Sequence, residues 1–111
     1  MIGRVSGRSA HQAIRRRGRH LRSGLLSCTM LLDPTLAGPH VGYALGRAFG
    51  PAVARNRLRR QLREIVKTHE AALAPGFYVF GASPKARQAS FGELEVAMRG
   101  LVTKCAEGAT R

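Results

Sequence analysis

The sequence predicts an α+β fold, a single-domain α-β sandwich in which one small central sheet packs with three helices. Three observations carry this expectation. The chain has 111 residues, 44% of them apolar, enough for one modest core and too few for two. Short apolar runs at 25–32, 41–47 and 77–82 have strand character, rich in β-branched and aromatic side chains or alternating large with small. Two longer stretches, 52–73 and 90–105, repeat their apolar residues at helical spacing, and no internal repeat is present.

Taken in order, residues 1–9 are rich in Gly, Ser and Arg and read as a flexible basic arm. Residues 10–111 then form a single domain. His11 to Arg17 suits a short helix that uses Ala13 and Ile14 and ends at Gly18. Leu25 to Leu32 reads as a strand closed by Asp33-Pro34, and residues 33–40 are turn material. Val41-Gly-Tyr-Ala-Leu-Gly-Arg47 suits a strand with one packed face; its other face, bare at Gly42, Ala44 and Gly46, permits close approach. Phe77 to Ala82 is the best strand of the chain. Ser90 and Glu93 have the spacing of a capping box. The helix they begin carries Phe91, Leu94, Met98, Leu101, Val102 and Cys105 on one stripe.

The long helix over 52–73 organises the rest. Pro51 stands where its missing N–H has no partner to lose, and Pro75-Gly76 stops the pattern. At about 100° per residue, Ala54, Leu58, Leu62, Ile65, Val66, Ala72 and Leu73 fall on one stripe. Asn56, Arg59, Arg60, Arg63 and Lys67 fall on an adjoining arc, with Arg57 further round. Arg55 lies at the stripe's edge in the first turn, where it can swing clear. A merely solvated face mixes signs and gains from i,i+4 pairs. Here Glu64 is the single acid among six cations. Like charges this dense call for an anion.

The whole chain repeats that imbalance. Its formal net charge is +13 and its pI about 11.7. Residues 1–24 hold seven arginines and no acid. Arginine, far commoner than lysine here, pairs bidentately with phosphate and stacks on bases. A polyanion partner is expected, and nucleic acid is the natural one. No run reaches the length of a membrane span, and the first residues lack the apolar core of a signal peptide. Cys28 and Cys105 form no CxxC pair and sit in apolar patterns, as buried free thiols in a reducing cytoplasm do.

Self-contained catalysis is not expected. A metal-dependent nuclease needs converging carboxylates, but Asp33, Glu64, Glu70, Glu93, Glu95 and Glu107 are scattered. His11, His20, His40 and His69 have no zinc-ligand spacing with the cysteines. Ser27 and Ser83 have no nucleophile-elbow context, and no phosphate-loop glycine pattern occurs.

Gly50-Pro-Ala-Val-Ala-Arg-Asn-Arg-Leu-Arg-Arg-Gln-Leu-Arg-Glu64 closely resembles the signature of the bacterial ribonuclease P protein component. That family has an Arg-Asn-Arg core after a Gly-x-Ala-Val segment, followed by a basic pair and another arginine. Here these are Arg55, Asn56 and Arg57, then Arg59, Arg60 and Arg63. The similarity continues in Val41 to Arg47, in Phe77 to Ala82 and in Phe91-Gly-Glu-Leu-Glu95. It implies a basic RNA-binding subunit that joins a catalytic RNA and removes the 5′ leader of precursor tRNA. In the family the chemistry lies in the RNA, with Mg2+ held mainly there. The implied partners are the ribonuclease P RNA and precursor tRNA, in the cytoplasm, with no membrane and no obligate protein partner.

By the same resemblance, Arg47, Arg55, Asn56, Arg57, Arg59, Arg60, Arg63 and Lys67 contact RNA. A cleft between the first helix and the sheet, with His11, Ile14, Arg15 and Tyr43, holds the single-stranded leader. The family usually has phenylalanine where this chain has His11, and often aromatics at the places of Arg15 and Thr29. Its Ser-Lys-Lys before the signature reads Gly46-Arg47-Ala48. The resemblance also implies a left-handed crossover from strand 41–47 through the long helix to strand 77–82, against the general right-handed rule. The charge alone fits a ribosomal-type protein or RNA chaperone with no processing role equally well; the signature separates the readings.

Overall fold

The structure, a computed structural model, describes residues 2–109. It contains strands β1 (Gly3–Arg4), β2 (Arg19–Ser23), β3 (Leu26–Leu32), β4 (Pro39–Tyr43) and β5 (Gly76–Ala82), and helices α1 (Arg8–Arg17), α2 (Ala52–Lys67) and α3 (Phe91–Ala109). The five strands form one mixed sheet in the order β1-β4-β5-β3-β2. β3 is antiparallel to β2 and β5, while β4 runs parallel to β5 and to β1.

Alternation of side chains sorts the sheet into two faces. Leu26, Cys28 and Met30 of β3, Tyr78 and Phe80 of β5, and Val41 of β4 are buried on one face. There they form a single cluster with Leu58, Leu62, Ile65 and Val66 of α2 and with Leu94, Met98, Leu101 and Cys105 of α3. The other face carries Thr29, Leu31, Phe77, Val79 and Gly42. α1 lies on it, held by Ile14, which is 4% exposed. Gly18, at the end of α1, sits so close to Thr29 that a Cβ there would meet its methyl at 2.7 Å.

Several elements differ from their sequence expectation. The segment expected as a flexible arm enters the fold: Gly3 and Arg4 pair with His40 and Val41, and Val5 is buried over Gly42. Helix α1 begins at Arg8 rather than at residue 11, directly after this strand. Met1 and residues 110–111 lie outside the described residues. The strand expected at 41–47 runs from Pro39 to Tyr43. The chain then bends through a 3-10 turn at Arg47–Phe49, which buries Phe49. The long helix stops at Lys67 instead of Leu73. Thr68 Oγ1 donates to the Ile65 carbonyl at 2.7 Å, and the backbone N–H of His69 donates to Val66. A side chain that satisfies one of the last carbonyls favours the helix ending there. Leu73 is buried beyond that end, but Ala72 is exposed.

The capping box forms as spaced: the Glu93 N–H donates to Ser90 Oγ at 3.1 Å, and the Ser90 N–H to Glu93 Oε1 at 2.9 Å. Phe91 departs from the α3 stripe and is largely exposed, because it precedes the first full turn. Ser90→Ala is expected to cost about 1 kcal/mol of stability, read as a shift in the urea midpoint. The Ser90 N–H and hydroxyl hold the Glu93 carboxyl below its ordinary pKa. Its contribution is therefore fully present above the unfolded-state pKa and is lost as pH falls through the lowered one.

The two cysteines, distant in sequence, meet in the core as free thiols. The hydrogen bond to Cys105, then burial, pushes the Cys28 thiol up, and the bond from Cys28 lowers Cys105.

Candidate RNA interface

Helix α2 presents its cations on two separate flanks. On the flank toward β4, Arg59, Arg63 and Lys67 border a cavity of about 980 Å³ with Val66, Tyr43 and the β1 strand. Asn56 lies on the same side and accepts from Arg59 Nη1 at 2.6 Å, which fixes that guanidinium one helical turn away. The opposite flank carries Arg57, beside Arg87, Gln61 and the 3-10 turn Pro84–Gln88. Arg60 lies between the flanks and is exposed, as is Arg47 before the helix.

Arg55 does not swing clear. It is only partly exposed, and its Nε is buried with no hydrogen-bond partner. The helix start sets it against the body of the domain, where Pro51 accepts its backbone N–H at 3.0 Å. Lys67 lies 3.6 Å from Glu64. With both side chains well exposed, that pair contributes little and leaves Lys67 available.

Sequence reasoning missed Arg87. It comes to line the same cavity as Arg57 because residues 84–88 fold back over Gly50. That glycine has φ +149°, and a Cβ on it would stand 3.0 Å from the Arg87 guanidinium. A side chain there is both strained and crowded.

Of the leader-cleft residues, His11 and Tyr43 line one cavity, the one of about 980 Å³ that Arg59, Arg63 and Lys67 border, while Ile14 and Arg15 are not part of its lining. His11 and Arg15 are exposed on one side of α1, one turn apart. The other side of α1, with Ser9, Ala13 and Arg17, faces Leu31, Asp33 and Phe77. His11 and Arg15 therefore look toward the opposite end of the strands. Ile14 is not an accessible wall, since its side chain is the anchor of α1. Tyr43 reaches that cavity from the sheet. Strand alternation turns it to the α2 face, where its ring stacks on Phe80 at 6.2 Å between centroids. Burial raises its hydroxyl pKa, and nearby Arg63 opposes the rise.

What lies beside α1 instead is a trough across the sheet. His20, Thr29, Val79 and Gly42 are neighbours in register on four successive strands, and Arg22, Ser27 and Gly81 form the next row. None of the seven is buried. His20 Nδ1 and Thr29 Oγ1 are 3.2 Å apart. The floor is small and polar, with Arg22 at the edge strand. The only signal in the sequence was the alternation Arg19-His-Leu-Arg-Ser23, which has one apolar residue and does not read as a strand by itself.

Among the described residues no group of three or more His, Cys, Asp or Glu side chains is placed to hold a metal ion. No helix among them is long and apolar enough to cross a membrane.

Comparison with known proteins agrees with this arrangement. The sequence matches the Ribonuclease P family over residues 3–106. It is 39% identical to the ribonuclease P protein component of Acidothermus cellulolyticus over 93 residues, covering 82% of this chain and 78% of that one. To the Nocardioides protein of the same name it is 37% identical over 91 residues, covering 79% and 77%. Among solved structures, the RNase P protein of Staphylococcus aureus superposes with a TM-score of 0.81 over 90% of this chain and 92% of that one, at 17% identity. The RNase P protein from Thermotoga maritima gives 0.80 over 91% and 96%, at 21% identity. Superposition on that scale requires the β4–α2–β5 crossover to run in the same sense as in those structures. Sequence match, five-stranded sheet and the arginine-bearing second helix converge, and the chain belongs to the bacterial ribonuclease P protein family.

Proposed function

We propose that this chain is the RNA-binding protein subunit of ribonuclease P, which assists a catalytic RNA in removing the 5′ leader of precursor tRNA. The observation that carries the residue assignment is the dense row of cations on α2 beside its buried apolar stripe. Helix α2 projects Asn56, Arg57, Arg59, Arg60, Arg63 and Lys67 from one layer, with Arg47 before it and Arg87 beside it. These contact the RNA subunit, largely through phosphates, which position the protein without reading sequence. Arg55 supports the helix start.

On the other face, the trough beside α1 takes the single-stranded leader. His11 and Arg15 stand along its helix wall. His20, Arg22, Ser27 and Thr29 supply polar contacts from its floor. Without aromatic side chains there, single-strand affinity comes from hydrogen bonds and from guanidinium stacking by Arg15 and Arg22. Tyr43 shares with His11 the cavity that Arg59 and Arg63 border, where the two surfaces meet.

The chemistry is the catalytic RNA's. Magnesium enters as a cofactor of that RNA, as the family resemblance implies. The protein's part is to neutralise phosphate repulsion between two RNAs and to fix the leader against the sheet. A cytoplasmic location follows from the partners.

The test is reconstitution. With a bacterial ribonuclease P RNA and a precursor tRNA at low magnesium, adding this chain should raise cleavage at the mature 5′ end at least about tenfold, whereas the chain alone should not cut. A ribosomal-type protein or general chaperone gives no selective gain, and that result overturns the assignment.

A further inference from the structure

We infer that the recess between the start of α2 and the 84–88 turn receives one unpaired base of the RNA subunit, stacked on the Arg87 guanidinium. The inference rests on the RNA-binding reading above. It adds a contact from outside the signature helix, one that depends on a base rather than on phosphates alone. Arg87 supplies the surface. A Cβ on Gly50 would stand 3.0 Å from its Cζ, Nε and Nη1 alike, so the guanidinium lies face-on to the glycine. The turn that carries it is fixed, since the Lys85 N–H donates to Ser83 Oγ at 3.3 Å and Ala86 is buried. Arg87 as a whole is exposed. A planar cation held in place at an exposed position is a platform on which a base can stack.

The recess is small, apolar and free of acids. At about 270 Å³ it falls below the range of sites for drug-sized ligands, about 300–1,000 Å³, so its occupant is one group of a larger molecule. Pro51, Val53, Ala54 and Ala89 give it an apolar lining. Val53 is 81% exposed, the most of any large apolar side chain among the described residues. Arg57 and Gln61 line the recess from α2, one turn apart, and no Asp or Glu joins them. No side chain caps the start of α2 either, and a helix start is positive in its own right.

These features select the occupant. An apolar protein segment covers Val53 but leaves both guanidiniums uncompensated. A paired RNA helix compensates them but presents no base to the apolar floor. An unpaired nucleotide does both: the base covers Val53 and the Arg87 plane, the Gln61 amide meets its edge, and Arg57 takes an adjoining phosphate. The recess shares no lining residue with the cavity of His11 and Tyr43, so the strand it takes is the RNA subunit's and not the leader.

The test uses the full chain with a bacterial ribonuclease P RNA. A photoreactive azide attached through Val53→Cys should cross-link to the RNA subunit, and primer extension then names the nucleotide. Labelling is selective because Cys28 and Cys105 are buried. With that nucleotide made abasic, the unaltered chain should bind the RNA at least about fivefold more weakly, the lower bound for one stacked base. Arg87→Lys keeps the charge and loses the plane. It should bind intact RNA about as weakly as the unaltered chain binds the abasic form, and should not distinguish the two RNAs. Its salt slope and urea midpoint should stay those of the unaltered chain. A cross-link to precursor tRNA alone, or to no RNA, overturns the inference. Equal binding of intact and abasic RNA by the unaltered chain overturns it too, as does undiminished discrimination by Arg87→Lys. Failure of the unaltered chain to bind the RNA subunit at all overturns the underlying reading instead.

Discussion

Replacing Arg60 and Arg63 together with glutamate should weaken binding to the ribonuclease P RNA at least about 100-fold at moderate salt, with little change in thermal unfolding. Both side chains are exposed on α2, outside the stripe of Leu58, Leu62, Ile65 and Val66 that faces the core. The domain therefore loses no packing, and its self-repulsion falls, since each reversal removes two units from a net charge of +13. A hydrogen bond to a charged group is worth about 1.5–3 kcal/mol. Losing two such contacts costs roughly 3–6 kcal/mol, and the introduced carboxylates add repulsion. Salt dependence separates this account from misfolding. Each phosphate contact contributes about 0.9 to the log–log slope of affinity against salt, so the variant's slope should be shallower by about two. An unchanged slope with weaker binding would sink it.

That prediction was within reach of the sequence because α2 is amphipathic in a way that geometry alone converts into faces. The apolar residues Leu58, Leu62, Ile65 and Val66 are buried as their spacing requires, and the arc of Asn56, Arg59, Arg60 and Arg63 follows from the same 100° step. The capping box at Ser90 and Glu93 was equally legible, being a contact between residues three apart. What escaped was non-local. Strand β2 has one apolar side chain, Leu21, and becomes a strand because all of Arg19–Ser23 pairs with β3, through a tight turn in which Gly24 takes φ +57°. Gly3 and Arg4 have no strand signal at all; the exposed edge of β4 recruits them. Tyr43 shows the sharpest form of the difficulty. Its alternation with Val41 was visible, but not which face α1 would cover, and the register of β4 against β5 decides that. The meeting of Cys28 with Cys105, and the placing of Arg57 and Arg87 along one cavity, likewise depend on how elements pack rather than on what they are.

Phe80→Ala is expected to be the most damaging single core substitution, lowering stability by about 3–5 kcal/mol against a total of about 5–15 kcal/mol for a domain of this kind. Phe80 is fully buried on the central strand β5. It is paired in register with Cys28 of β3 on one side and Tyr43 of β4 on the other. Truncation opens a void where both neighbouring strands contribute side chains to the α2–α3 layer, and neither can close it without moving its own backbone. The loss also removes the ring on which Tyr43 stacks, so α2's RNA-facing flank loosens together with the core. Urea unfolding reads the effect as a drop in midpoint with an unchanged slope. Because RNA binds the folded state, ligand at about 100 times its Kd should return about 2.7 kcal/mol. The variant should therefore look severely impaired alone and substantially rescued in the assembled particle. A loss under about 1 kcal/mol would show that the core is not centred on β5, and a full loss without rescue would show that the RNA interface does not depend on the native fold of this sheet.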